Sequence, residues 1–282
     1  MKQKGMMILY LVLALCAGSS LYAQPAIERK IIIEHGQFYF FTIDEETQLA
    51  TLHTGAVTGK LNRARSYPVP IGRERTDAFN PLCFDISGNT LTGINWILNS
   101  NNSRYEALKQ IDLRDWKKPR QDWTSEDWAQ LSFDQPVLAP NVPWQEMIEA
   151  NNVLDNCFFD LVQIESKVMA ICNQGRLRIW SFAGGKWTPL SKPVPVGFTT
   201  YFSLVSVKGA GIAVIDGKGS VYRLDEASGT MSKVKNGNAD RPQVLIVDYD
   251  NYKTYTLPEE AIRASGFLSV KELIPHAEEI VF

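Results

Sequence analysis

The sequence predicts an all-β fold assembled from short antiparallel sheets. Two stretches, 158–190 and 201–234, repeat one pattern at an offset of 43 residues. Phe158-Phe159-Asp160-Leu161-Val162 matches Tyr201-Phe202-Ser203-Leu204-Val205, and Met169-Ala170-Ile171 matches Ile212-Ala213-Val214. Each copy is a series of short apolar runs separated by turn residues: Glu165-Ser166, Asn173-Gln174-Gly175 and Asp216-Gly217-Lys218-Gly219. Within the runs the alternation has a period of two. Leu177 and Ile179 share one face and Arg176 and Arg178 the other, the pattern of a half-buried strand.

Taken along the chain, residues 1–23 read as a signal peptide. Lys2 and Lys4 precede an apolar core from Met6 to Cys16, too short to span a bilayer, and Leu21-Tyr22-Ala23 offers a cleavage site. Cys16 raises a lipoprotein reading that the bulky Leu15 before it opposes. A strand over 30–34 comes next. A weaker third copy of the repeat starts at Gly36-Gln37-Phe38-Tyr39, matching Gly219-Ser220-Val221-Tyr222, with Asp44-Glu45-Glu46-Thr47 as its turn.

Residues 115–156 break the pattern and read as an insertion over one rim with two short helices, or as a badly degenerate blade. Thr124 and Asp127 suit a capping box for the first, and Pro143 suits the opening turn of the second. After the two copies, strands are expected over 244–247 and 253–257, one of them pairing with 30–34. A helical piece over 258–264 is stopped by Ser265-Gly266.

The stretch 175–186, Gly-Arg-Leu-Arg-Ile-Trp-Ser-Phe-Ala-Gly-Gly-Lys, resembles the third-to-fourth-strand turn of WD-type propeller blades. The stretch 216–225 resembles the equivalent part of quinoprotein-type blades. No Gly-His pair is present, and Ser181 follows Trp180 where WD repeats carry Asp, so no specific family is implied. The resemblance and the repeat length imply a propeller-like array of short antiparallel sheets, about five to seven blades, with short helical insertions. It would form one domain over 24–282; a sandwich with similar hairpins is the alternative. Stacking is required because a lone four-stranded sheet cannot bury both faces.

Composition excludes some classes. The 29 Lys and Arg, less Lys2 and Lys4, face 31 Asp and Glu, which opposes nucleic-acid binding. No later apolar run is long enough for a membrane helix. An exported protein with periplasmic, cell-surface or released destination is expected. Beyond Cys16 the cysteines are Cys83, Cys157 and Cys172, an odd count; Cys157 and Cys172 flank one hairpin and could be bridged or simply buried.

For function the sequence offers surfaces more than chemistry. Trp116, Trp123 and Trp128 each follow an Asp within fourteen residues, and Trp144 lies beyond them. These aromatics, joined by Tyr249, Tyr252 and Tyr255, either form a contact surface or fill the gap under the insertion. Lys60, Arg63, Arg65, Arg73 and Arg75 crowd one loop-like stretch, suited to an anionic partner or to plain solvation.

Asp248-Tyr249-Asp250 with Glu259 imitates a calcium loop, but Tyr252 and Lys253 stand where an oxygen ligand and a glycine are needed. His35, His53 and His276 lie in unrelated contexts, and no metal, cofactor or nucleophile signature is present. The expected function is a non-catalytic binding or scaffold module of the envelope, contacting a protein or glycan partner. The alternative is a propeller hydrolase or lyase acting on glycans through carboxylates in a central funnel.

Overall fold

The computed structural model describes residues 27–44, 49–70, 77–98, 104–113, 158–163, 167–173, 176–183, 186–195, 202–207, 211–237, 243–266 and 268–281. Residues 1–23, read above as a signal peptide, residues 115–156, read as an insertion, Cys157, and Trp116, Trp123, Trp128 and Trp144 lie outside these residues. The fold is all-β with a few short helices.

The chain starts with β1 (Ile27–Glu34), β2 (Gln37–Asp44), β3 (Leu49–Ala56) and β4 (Arg65–Pro70). A second set is β5 (Asp77–Ser87), β6 (Thr90–Leu98) and β7 (Arg104–Asp112). The first repeat copy forms β8 (Phe158–Gln163), β9 (Lys167–Asn173), β10 (Arg176–Ala183) and β11 (Lys186–Pro189), with the short β12 (Val194–Pro195) beside β10. The second copy forms β13 (Phe202–Val207), β14 (Gly211–Asp216), β15 (Val221–Asp225) and β16 (Thr230–Lys235). The chain closes with β17 (Gln243–Asp248), β18 (Lys253–Pro258), helix α1 (Glu259–Ala264), helix α2 (Val270–Leu273) and β19 (Glu278–Ile280).

The two copies therefore become two four-strand meanders, β8 to β11 and β13 to β16, in the same antiparallel order. They face each other: Val162, Leu177 and Ile179 pack against Leu204, Val214 and Leu224. Leu177 and Ile179 are fully buried, and the Arg178 guanidinium lies on the opposite face, 4.6 Å from the Trp180 ring. The second copy's turn is held by Asp216, whose Oδ1 accepts from the backbone N–H of Lys218 and Ser220.

The proposed third copy is a likeness of turns and not of places in a sheet. Gly36 and Gly219 both have positive φ, 70° and 81°, but the strand after Gly36 lies second in its set and the strand after Gly219 lies third.

The seven-stranded sheet joins both chain ends in the order β19-β18-β17-β1-β2-β3-β4. β1 and β17 pair in parallel, Lys30 with Leu245 through Ile33 with Asp248. Parallel strands covered on both sides carry unbroken apolar runs, which is why Ile31-Ile32-Ile33 and 244–247 do not alternate. Ile31, Ile33, Val244 and Ile246 pack toward Ile262 of α1 and Val270 and Leu273 of α2. Ile32 packs on the other side, against Phe84, Ile86 and Leu91.

Helix α1 opens on Glu259 and Glu260, favourable at the positive helix end, and stops at Ser265 before Gly266, whose φ is 68°. Helix α2 has a full capping box between Ser269 and Glu272.

The first strands of the successive sets lie side by side. β1 packs beside β5, β5 beside β8, and β8 beside β13. Val205 of β13 belongs to one buried cluster with Ala213 and Ile215 of β14 and with Leu245 and Val247 of β17, the partner of β1. Groups of β1, β5, β8 and β13 meet in the polar cluster described next.

Candidate functional site

A bulge places the first member of the cluster. The register of β1 on β2 slips between Glu28 and Ile31, and Arg29 takes a left-handed φ of 57°. Such a bulge re-aims side chains, and Lys30 is turned into the protein with 1% exposure. Its Nζ lies 2.8 Å from Oδ1 of Asp160 on β8, a residue with no exposure at all. The other carboxylate oxygen, Oδ2, accepts from the Leu204 N–H of β13 at 2.7 Å. The ammonium also sits 5.0 Å from the centroid of the Phe84 ring. One ion pair thus ties together three sets of strands.

Asp85, next to Phe84 on β5, is also fully buried and accepts from the Tyr249 hydroxyl at 2.7 Å. Burial, then the Asp85 carboxylate, push the Tyr249 phenol well above its ordinary range, with Asp160 and Glu34 adding to the effect. Glu34, at the end of β1, is half-buried, and its Oε1 accepts from the Gly88 N–H at 2.9 Å. Burial raises the Glu34 carboxyl, against the lowering effect of Gly88 and His35. Three carboxylates from three neighbouring strands therefore converge, but two are sealed from solvent.

Beside Glu34 the apolar layer between the first sheet and β5–β7 runs out into a groove of about 420 Å³. Tyr39, Thr54, Arg65 and Tyr67 line its sheet side and Asn89 faces them from the β5–β6 turn.

The residues singled out in the sequence are scattered. Trp116, Trp123, Trp128, Trp144, Arg73 and Arg75 lie outside the described residues. Lys60, Arg63 and Arg65 are exposed around a short helical turn, Leu61–Arg63, anchored by the buried Leu61. Only Arg65 reaches the groove. The three tyrosines do not form one surface. Tyr249 turns inward to Asp85, Tyr255 is buried on the helix side, and Tyr252 is 47% exposed on a hairpin tip.

The calcium-loop imitation is that hairpin. Asp248 binds the Asn251 N–H and side-chain amide, while Asp250 accepts from the His35 and Gly36 N–H groups. No metal-holding group of His, Cys, Asp and Glu occurs among the described residues. His53 stacks on Phe40, with its ring nitrogens 2.8 Å from Thr42 Oγ1 and 3.2 Å from Ser66 Oγ. Cys83 is fully buried.

The cluster had a signal in the sequence that the repeat reading passed over. Phe84-Asp85-Ile86, Phe159-Asp160-Leu161 and Phe202-Ser203-Leu204 are the same tripeptide position on β5, β8 and β13. A polar residue inside an apolar strand needs a partner, and all three are buried.

No protein-family model matches the chain, and no curated protein matches it. Among solved structures it is similar to a sucrose-6-phosphate hydrolase from Lactobacillus gasseri, at 9% identity and a TM-score of 0.47, over 87% of this chain and 58% of that one. It is similar to the Bacteroides ovatus xyloglucan-locus protein GH43B, at 9% identity and a TM-score of 0.45, over 82% of this chain and 48% of that one. A xylan β-1,4-xylosidase from Bacillus halodurans gives 10% identity and a TM-score of 0.44, over 82% of this chain and 48% of that one. The chain spans about half the length of the last two. No helix among the described residues is long and apolar enough to cross a membrane.

Proposed function

We propose that this chain is an exported, non-catalytic binding module built as a propeller-like array of five antiparallel units, with β1, β5, β8, β13 and β17 innermost. The side-by-side order of β1, β5, β8 and β13 and the pairing of β17 with β1 support the array, and the charged-start, apolar-core pattern of residues 1–23 supports export.

The state of the central carboxylates carries the non-catalytic reading. Acid–base cleavage of a glycosidic bond uses two carboxyl groups facing a shared space, roughly 5–9.5 Å apart. Here Asp160 is neutralised by Lys30 and the Leu204 N–H, Asp85 is engaged by Tyr249, and both are closed to solvent. They act as a polar core: Asp160 links the units of β1, β8 and β13, and Asp85 links the unit of β5 to the end of β17. The partner is then a glycan or protein met at the surface.

The second reading, a glycan hydrolase or lyase, has one observation of its own. Glu34 is a partly accessible carboxyl raised by burial, at the same end of the inner strands as Tyr249, which is how a general acid is poised. The solved structures named above carry the names of sugar-cleaving enzymes, the class of this reading.

A glycan array run beside hydrolysis assays on the same substrates tests both. Binding without turnover is the expected result. Turnover that disappears in Glu34→Gln would overturn the binding reading in favour of the enzyme. Mass spectrometry of the mature N-terminus tests export; a protein beginning at Met1 would refute it.

A further inference from the structure

We propose that the groove beside Glu34 is a binding site for an acidic sugar residue, with Arg65 holding its carboxylate. This rests on the binding-module reading and gives that reading a place and a ligand class.

The groove follows from strand register. On the inward face of the first sheet, Tyr39, Thr54 and Arg65 are directly paired across β2, β3 and β4, and Leu52 pairs with Tyr67 in the next row. The rows beyond Phe41 turn from apolar to polar, so the face that packs on β5–β7 ends in hydrogen-bonding groups. Tyr39 and Tyr67 are each 7% exposed, which leaves only their lips to the cavity. The volume of about 420 Å³ falls within the usual range for small-molecule sites.

Its chemistry selects the ligand. Hydroxyls of Tyr39, Thr54 and Tyr67 with the amides of Gln37 and Asn89 suit a polyhydroxylated ring, and the tyrosine edges suit its C–H face. Tyr39 is raised above its ordinary range by burial first and by Glu34 next, so its phenol remains a neutral group able to donate.

Among the described residues of the lining, Arg65 is the one charged group. It is exposed, and its backbone is fixed opposite Thr54 in the β3–β4 ladder. A planar guanidinium in that position fits a carboxylate in a two-point contact. Glu34 stands at the opposite end, three strands away, roughly 14 Å by strand spacing. Glu34 is not part of the lining, and an acidic sugar is oriented with its carboxylate on Arg65 and its hydroxyls toward Asn89 and Gln37.

Titration calorimetry of the full mature chain with a trigalacturonate, against a neutral trisaccharide of similar size, tests this. Trigalacturonate is expected to bind more tightly than the neutral sugar. Arg65→Gln should weaken it roughly tenfold or more, and binding should fall with added salt. Arg65 is exposed, so its variant should fold as the parent does. Ala56→Trp, at an exposed position on the groove wall, should block the site by bulk and abolish binding.

Equal binding of the neutral sugar, with Arg65→Gln unchanged, would overturn the acidic-sugar assignment. Glycan binding that survives both variants would overturn the groove while leaving the binding-module reading intact. No binding of any glycan would remove this proposal and leave a protein partner as the form of that reading.

Discussion

Lys30 and Asp160 are 130 residues apart in sequence, and their side chains meet at 2.8 Å with essentially no solvent contact on either. Removing two charges from water is costly, and the pair offsets that cost only through its geometry. Here the geometry is nearly complete. Asp160 accepts from Lys30 and from the Leu204 N–H, and Lys30 adds the Phe84 ring face. The pair fixes where β1, β8 and β13 stand relative to one another.

Breaking this pair on one side should be far worse than replacing it. Lys30→Met leaves a buried carboxylate, and Asp160→Asn leaves a buried ammonium; each should cost about 3–5 kcal/mol. The double variant Lys30→Met with Asp160→Asn should cost clearly less than the two added together, because no orphan charge remains and Asn still accepts from Leu204. Urea melts of the four proteins form the double-mutant cycle. Additive losses would mean that the two residues do not act as a pair.

Tyr249 and Asp85 form the second link through the centre. Tyr249→Phe removes one hydrogen bond to a buried carboxylate and should cost about 1–3 kcal/mol. The phenol is raised well above 10, so its contribution is whole below the unfolded value and is lost as pH climbs toward the folded one. Absorbance titration should show a highest-titrating tyrosine that vanishes in Tyr249→Phe. An unchanged curve would mean that the hydroxyl is not engaged.

The strands were legible because their pattern is local. Turn residues marked the breaks between β8 and β9, β9 and β10, and β14 and β15, and Ser265-Gly266 marked the end of α1. The pairing of β1 with β17 was legible as closure, since two unbroken apolar runs at opposite ends of the chain need covering on both faces. The ion pair was not. Lys30 precedes three isoleucines and reads as a strand-end charge, and only the bulge at Arg29 turns it inward. The groove was hidden for a related reason: Arg65 looked like one of five loop charges, and only the register of β4 on β3 sets it beside Tyr39 and Thr54.

Gly237 marks where the chain leaving β16 crosses the turn before β15. A Cβ there would lie 2.1 Å from the Lys218 carbonyl oxygen and 2.3 Å from the Ser220 N, both backbone atoms that cannot swing aside. The Gly237 N–H also donates to Ser220 Oγ at 3.0 Å. Gly237→Ala should therefore cost about 1–3 kcal/mol through backbone displacement. Gly36→Ala is the comparison, with open space around the added methyl and only the strain of φ +70°, about 1–2 kcal/mol. Thermal melts should place Gly237→Ala at or below Gly36→Ala, and a neutral Gly237→Ala would contradict the close crossing.

His53 supplies an acid-sensitive element on the outer side of the first sheet. Burial against Phe40, at a ring-centroid distance of 4.7 Å, lowers it from 6.5 to about 4. A hydroxyl can donate to a bare ring nitrogen or accept from a protonated one, so both contacts survive in either ring form, and desolvation and not lost hydrogen bonding opposes the charge. The folded value lies below the unfolded one, so the neutral ring's contribution is whole above about pH 6.5. It declines as pH falls toward 4, because the unfolded chain takes up the proton first. The full effect is on the order of 3 kcal/mol. His53→Gln keeps a hydrogen-bonding side chain without the titration. Its stability should change less than that of the parent between pH 6.5 and 4, with the two curves parallel above pH 7. In proton NMR of the parent the His53 ring signal should remain that of the neutral form at pH 5. A ring that charges near 6.5, or a His53→Gln curve parallel to the parent throughout, would show that this histidine is not held neutral by the fold.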